Sequence, residues 1–306
     1  MNQNIDRRKF INATSAGLGL SLLPAASSFA FETAASVQDE PAKPASPQRK
    51  IKKSVKWGMV GVGDSVLKKF EIQKELGYDG IEFISPTDVN LEEVVRASKQ
   101  TDMPVHGLVN MQHWQIRMSS PDESQRESAI KIMNKCIEDV HELGGDSVLL
   151  VPGQVKGKEE NHDLVWERSI ECIRQVIPNA EKRKVKILIE NVWNGFCKQP
   201  KELRDYIDEI ASDWVKVYFD IGNARKFAPS EEWIEVLGKR IAKLDVKDWG
   251  KENGFCKIGD GDVDWPAVCK ALDKLEYDGW CTAEVGGGGK ERLKEIADRM
   301  DRVLLP

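Results

Sequence analysis

From Val55 onward the chain alternates short apolar runs with longer stretches of helical spacing. The runs are VKWGMV (55–60), GIEFI (80–84), PVHGLV (104–109), SVLLV (147–151), VKILIE (185–190), VKVYFD (215–220), IAKLDV (241–246) and GWCTAEV (279–285). They are nearly continuous in apolar character, which predicts strands covered on both faces, as in a parallel sheet. Helices are expected over 67–76, 91–100, 121–143, 163–183, 200–211, 231–238, 265–275 and 289–303. In 121–143, for example, Ile130, Met133, Ile137 and Val140 keep the spacing of one helical face. Eight strand–helix repeats in roughly 250 residues predict an α/β fold, a single (β/α)8 TIM barrel over 54–306. Two connections are long, 110–121 and 249–264. Both follow strands, so both fall on the C-terminal face where such barrels build their sites.

The first part of the chain lacks this pattern. Arg7-Arg8 precedes a modest apolar stretch, Ala13 to Ala26, interrupted by Gly17, Gly19, Ser21 and Pro24. Ser28-Phe29-Ala30 offers small residues for cleavage. Residues 1–30 resemble a twin-arginine signal, an address rather than an anchor, which predicts export to the periplasm. Residues 31–53, rich in Ala, Pro and charge, read as a disordered linker. Apart from that leader no apolar run is long enough to span a bilayer, so no stable membrane anchor is expected. Net charge is −5 with 31% charged residues, a balance that disfavours a nucleic-acid partner. The six cysteines form no CxxC pair, which removes a zinc-ribbon reading.

The chemistry concentrates at the strand ends. Glu190 closes strand five, Asp220 closes strand six, Asp245 lies in strand seven and Glu284 near the end of strand eight. Alone, each is an ordinary solvated strand end or ion pair. Together they converge on one barrel mouth, where their mutual repulsion calls for a cation. Hard oxygen donors predict one divalent metal ion, Mn²⁺ or Mg²⁺. Glu190 and Glu284 would face each other, one removing a proton beside a carbonyl and the other returning it. Glu82, His106, Trp114, Asn191, Trp193, Asn223 and Lys247 fall near the same mouth and are the expected substrate-binding residues.

The segments LIENVWN, YFDIGNARK, LDVKDW, IGDGDVDWPAV and TAEV resemble the xylose-isomerase-like TIM-barrel superfamily. Within it they are most similar to sugar-phosphate isomerase/epimerase and hydroxypyruvate-isomerase-like proteins. The resemblance implies that Glu190, Asp220 and Glu284 bind one divalent metal and that the two glutamates move the proton. Two departures stand out. Asp245 occupies the position where the family usually has a histidine ligand, and Asn223 replaces another frequent histidine. The second acid that follows the strand-five glutamate in ketose epimerases is also missing; Phe196 and Cys197 stand there instead. The expected function is a divalent-metal-dependent isomerase or epimerase of a small sugar or keto-sugar, acting through a metal-stabilised enediolate. A lyase or dehydratase on a keto-glycoside or keto-inositol would use the same site. A non-catalytic periplasmic carbohydrate-binding protein is the reading from a different class, motivated by Asp245. Endonuclease-IV-like repair needs many histidine ligands, and this chain has four histidines. A homodimer is the default expectation for assembly.

Overall fold

The computed structural model describes residues 50–305. The leader and most of the linker expected from the sequence lie outside the described residues. Eight parallel strands close into a barrel in the order β1-β10-β7-β6-β5-β4-β3-β2. They are β1 (Lys52–Lys56), β2 (Gly80–Ser85), β3 (Val105–Asn110), β4 (Ser147–Leu150), β5 (Lys186–Glu190), β6 (Val215–Asp220), β7 (Ile241–Val246) and β10 (Trp280–Ala283). The remaining strands, β8 (Asp248–Gly250) and β9 (Gly254–Cys256), pair antiparallel as a hairpin above β7.

Helices cover the outside: α1 (Val66–Glu75), α2 (Leu91–Thr101), α3 (Glu123–Glu142), α4 (His162–Arg183), α5 (Pro200–Ile210), α7 (Ser230–Leu237), α8 (Trp265–Leu275) and α9 (Lys290–Leu304). Their starts carry the expected caps. Ser65 accepts from Lys68 N, Asn161 from Leu164 N, and Asp264 from Ala267 N ahead of Pro266. The main core lies between the outward strand faces and these helices, with Phe70, Phe83, Met133, Val176 and Trp233 among its fully covered side chains. Inside the barrel Leu149, Leu188 and Tyr218 form a smaller apolar cluster. No described helix is long and apolar enough to cross a membrane.

One element is displaced from its expected place. The first strand runs over Lys52–Lys56, and Trp57–Met59 form a 3₁₀ turn instead of continuing it. Two residues read as linker, Lys52 and Lys53, therefore belong to the barrel. The reason is visible in the side chains. Ser54 and Lys56 make polar contacts inside the barrel, so the strand itself looks hydrophilic. The apolar Trp57 beyond it packs on Phe83 and Phe70, at centroid distances of 4.9 and 6.2 Å.

A short helix, α6 (Ile221–Arg225), follows β6 immediately and was not foreseen. Asp220 caps it through its Oδ1, which accepts from Asn223 N at 2.8 Å. The glycine run after β10 is held by close packing. Gly288 N donates to Met59 O and Gly61 N to Gly288 O, and a Cβ on Gly287 would sit 2.1 Å from Met59 O. That contact ties the loops after β1 and β10 together at the rim.

Candidate functional site

Strand register brings the acids level with one another. Asp220 on β6 pairs with Asp245 on β7, and Asp245 pairs with Thr282 on β10 two residues before Glu284. Glu190, Asp220, Asp245 and Glu284 each place a carboxylate oxygen within 4.8 Å of the others'. Asp220 and Asp245 are fully buried, Glu190 is nearly so, and Glu284 is a third exposed. Independent strand-end acids would turn toward water; these four turn toward one point.

Two ammonium groups share the point. Lys56 Nζ lies 3.0 Å from Asp245 Oδ2, 3.2 Å from Glu82 Oε2 and 3.5 Å from Glu284 Oε2. Lys247 Nζ lies 2.9 Å from Asp220 Oδ2 and 3.3 Å from Glu284 Oε2. Glu284 thus touches both lysines, Asp245 and Glu82 only Lys56, and Asp220 only Lys247.

The electrostatics divide the acids. Burial pushes the Glu190 carboxyl well above its ordinary range, and the neighbouring Glu284 charge adds to it. Burial also raises Asp245 and Asp220. Burial would raise Glu284 as well, but Lys56 and Lys247 together outweigh it and hold this carboxyl at about 2. For Lys56, burial works against the charged form, but Asp245, Glu284 and Glu82 hold its pKa well above the ordinary lysine value.

A divalent cation fits this donor set. With all groups ionised, five carboxylates (Glu82 and the four above) face two ammonium groups, leaving three uncompensated negative charges in a buried space. Asp245 Oδ1 and Glu82 Oε1 accept no hydrogen bond although they are shielded from solvent. Buried carboxylate oxygens without partners are costly, and all these donors are hard oxygens.

The mouth opens into a cavity of about 530 Å³. Of the residues expected to bind substrate, Trp114, Trp193, Asn223 and Lys247 line it together with Glu190 and Glu284. Asn223 Nδ2 reaches Glu190 Oε1 at 3.4 Å and donates to Asn191 O at 3.0 Å, and Trp193 Nε1 donates to Asn223 O at 2.9 Å.

Three of the expected residues sit elsewhere. Asn191 is buried behind the wall and brackets Asp220, donating to its carbonyl and accepting from its N–H, both at 2.8 Å. It positions a site residue and does not reach the cavity. Glu82 is fully buried beneath Lys56. His106 is sealed inside the barrel, stacked on Trp280 at 4.2 Å. Lys243 Nζ donates to its Nδ1 at 3.0 Å, so the neutral ring carries its hydrogen on Nε2 and donates to Ser54 Oγ at 2.8 Å. Ser54 continues to Thr282 and Thr282 to the Tyr218 hydroxyl, at 2.7 and 2.6 Å. Burial, with Lys243 second, depresses the His106 pKa well below its usual value. His106 is thus held by partners within the barrel and does not line the cavity.

Sequence reasoning missed Lys56, Asn110, Met111 and Phe255, all of which line the cavity. A lysine two residues after Ser54, on the same face of a strand, was the available signal for Lys56.

These features define an eight-stranded α/β barrel with a carboxylate-and-lysine mouth. The family described as Xylose isomerase-like TIM barrel matches residues 70–303, and the chain belongs to it. Among curated proteins it is 25% identical over 233 residues to a putative L-ribulose-5-phosphate 3-epimerase of Escherichia coli, covering 69% of this chain and 80% of that one. Among solved structures, a 3-keto-D-glucoside 4-epimerase of E. coli superposes with a TM-score of 0.72 at 17% identity, over 83% of this chain and 99% of its own. An L-ribulose 3-epimerase superposes with a TM-score of 0.70, also at 17% identity, over 83% of this chain and 94% of its own.

Proposed function

We propose that this protein is a divalent-cation-dependent isomerase or epimerase of a small sugar or keto-sugar, with Glu190 and Glu284 exchanging the substrate proton. The observation that carries the reading is the convergence of Glu190 and Glu284 with Asp220 and Asp245 on one point at the floor of the cleft. Glu190, Asp220, Asp245 and Glu284 would hold the cation, of the Mg²⁺ or Mn²⁺ type. When bound, it supplies Lewis-acid polarisation of a carbonyl oxygen.

The chain's own residues do the rest. Glu284, kept ionised by two lysines, takes the proton from the carbon beside the carbonyl. Glu190, the other glutamate of the cluster, returns one to the substrate. Lys247 and Lys56 also offer donors to a substrate oxygen at the floor, and Asn223 fixes the Glu190 side chain. Trp114 and Trp193 wall the cleft and limit water around the reacting carbon.

The test is incubation of purified protein with a panel of ketoses and keto-glycosides, with Mn²⁺, Mg²⁺ or chelator, read by proton NMR. A cation-dependent epimer or aldose–ketose pair of unchanged mass supports the reading. A product lighter by water or by an aglycone would replace it with elimination at the same floor. Tight sugar binding without turnover under every cation would replace it with a binding protein. We further propose that residues 1–30 direct export of the folded chain to the periplasm. Fractionation of cells expressing Arg7→Lys/Arg8→Lys should show retention in the cytoplasm.

A further inference from the structure

The cavity has a charged floor and an apolar rim. Among the described residues the exposed large hydrophobic side chains are Leu67, Met111, Trp114 and Phe255, and the last three line this one cavity. They come from different loops: Met111 and Trp114 follow β3, and Phe255 stands on the β8–β9 hairpin, half exposed at 50%. Exposed apolar groups scattered singly need no explanation, but three gathered around one opening do.

The Phe255 side is built, not incidental. Its ring stacks on Trp193 at 4.5 Å with 22° between planes, and Trp193 meets Trp249 edge-on at 6.0 Å. Lys226 Nζ sits 4.0 Å from the Trp193 ring centroid. The hairpin that carries Phe255 is fixed at its base by Asp248. This carboxylate is fully buried and accepts from Gly259 N at 2.8 Å and Trp265 Nε1 at 3.0 Å. A rigid aromatic pair thus stands at the rim of the cleft, with the Lys247 ammonium of the floor 5.1 Å from the Phe255 ring centroid. The volume of about 530 Å³ falls in the range of clefts that enclose drug-sized molecules, more than one sugar ring requires.

We propose that this rim is a second subsite, which takes the ring joined through the glycosidic oxygen to the sugar on the floor. The substrate class is therefore a glycoside whose floor sugar carries the carbonyl, a keto-glycoside, and not a free monosaccharide. The added ring lays its flat apolar face on Phe255, with Trp114 and Met111 opposite, while the sugar reaches the carboxylates below. An aromatic aglycone and a second pyranose both present such a face. The proposal rests on the sugar reading of the floor.

Isothermal titration of the full chain, loaded with Mn²⁺, against the 3-keto derivatives of methyl β-D-glucoside, phenyl β-D-glucoside and cellobiose tests it, with the galacto- and manno-configured counterparts alongside. The added ring should tighten binding at least tenfold over the methyl glycoside. A gain confined to the phenyl glycosides identifies an aromatic aglycone, and a gain with the disaccharides identifies a second sugar. Phe255→Ala, at a half-exposed side chain, should abolish the gain. Methyl glycosides that bind with no gain from the added ring, or a gain that survives Phe255→Ala, overturn the subsite alone. Failure of every probe to bind overturns the subsite together with the sugar reading of the floor.

Discussion

Replacing Lys56 by Met keeps the alkyl bulk and removes one charge from the centre of the site. The ammonium touches Asp245, Glu82 and Glu284 at 3.0, 3.2 and 3.5 Å, and the first two acids are fully buried. Removing one partner of a buried pair costs about 3–5 kcal/mol, because the other charge stays behind uncompensated. For a chain of this size each kcal/mol shifts the melting temperature by about 2–4 °C, so a fall of roughly 6–20 °C is expected in chelator. The same change leaves the carboxylates one negative charge richer. A unit charge about 4 Å away is worth up to ~4 kcal/mol near a protein surface, and even a third of that raises cation affinity about tenfold. Lys56→Met should therefore regain most of its lost stability when Mn²⁺ is added, and bind Mn²⁺ more tightly by titration calorimetry. Thermal unfolding with and without Mn²⁺ reads both effects. A variant with unchanged melting temperature and unchanged Mn²⁺ affinity would refute the role of Lys56 as counter-ion to this cluster.

Two further predictions probe the surroundings. Gly222 packs under the β7 end, where a Cβ would lie 2.8 Å from the Lys247 carbonyl oxygen. Gly222→Ala should cost about 1–3 kcal/mol and lower kcat far more than the small fall in melting temperature suggests, since Lys247 is pushed from Asp220 and Glu284. His113 is buried at the cavity wall, its Nδ1 accepting from Val151 N at 3.3 Å, and burial lowers its pKa to about 3. Below the ordinary histidine pKa of 6.5 the unfolded chain takes up a proton that the folded one refuses. The stability His113 contributes is therefore present above about pH 6.5 and lost by ~1.4 kcal/mol per pH unit as pH falls toward about 3. Chemical denaturation of wild type and His113→Gln from pH 7 to 4.5 should show their difference shrinking with that slope; a pH-independent difference would mean the ring is protonated in the fold.

Much of the barrel is readable in the sequence because parallel strands covered on both faces are written as apolar runs, and seven of the eight expected runs overlap the observed strands closely. The exception is instructive. KKSVK is a strand whose inward residues, Ser54 and Lys56, are polar because they join the column and the acid cluster. Hydropathy slides such a strand onto the next apolar residues. The same blindness hid Lys56 from the site. The four acids were legible because they end consecutive strands, and register then fixes their convergence. The depth of His106 is not legible because a histidine near a strand end looks the same whether it faces the mouth or lies below it. Only the partners on three other strands, Lys243, Ser54 and Thr282, show that it lies below. Phe255 was invisible for a different reason: its hairpin depends on Asp248 gathering donors from eleven and seventeen residues away.

The central claim is that Glu190 and Glu284 move the substrate proton. The most direct measurement is deuterium incorporation from D₂O into the sugar converted by the wild type, compared with Glu190→Gln and Glu284→Gln under Mn²⁺. Each substitution should abolish incorporation at the reacting carbon while the circular-dichroism spectrum stays that of the folded barrel. Incorporation at the wild-type rate in both variants would contradict it.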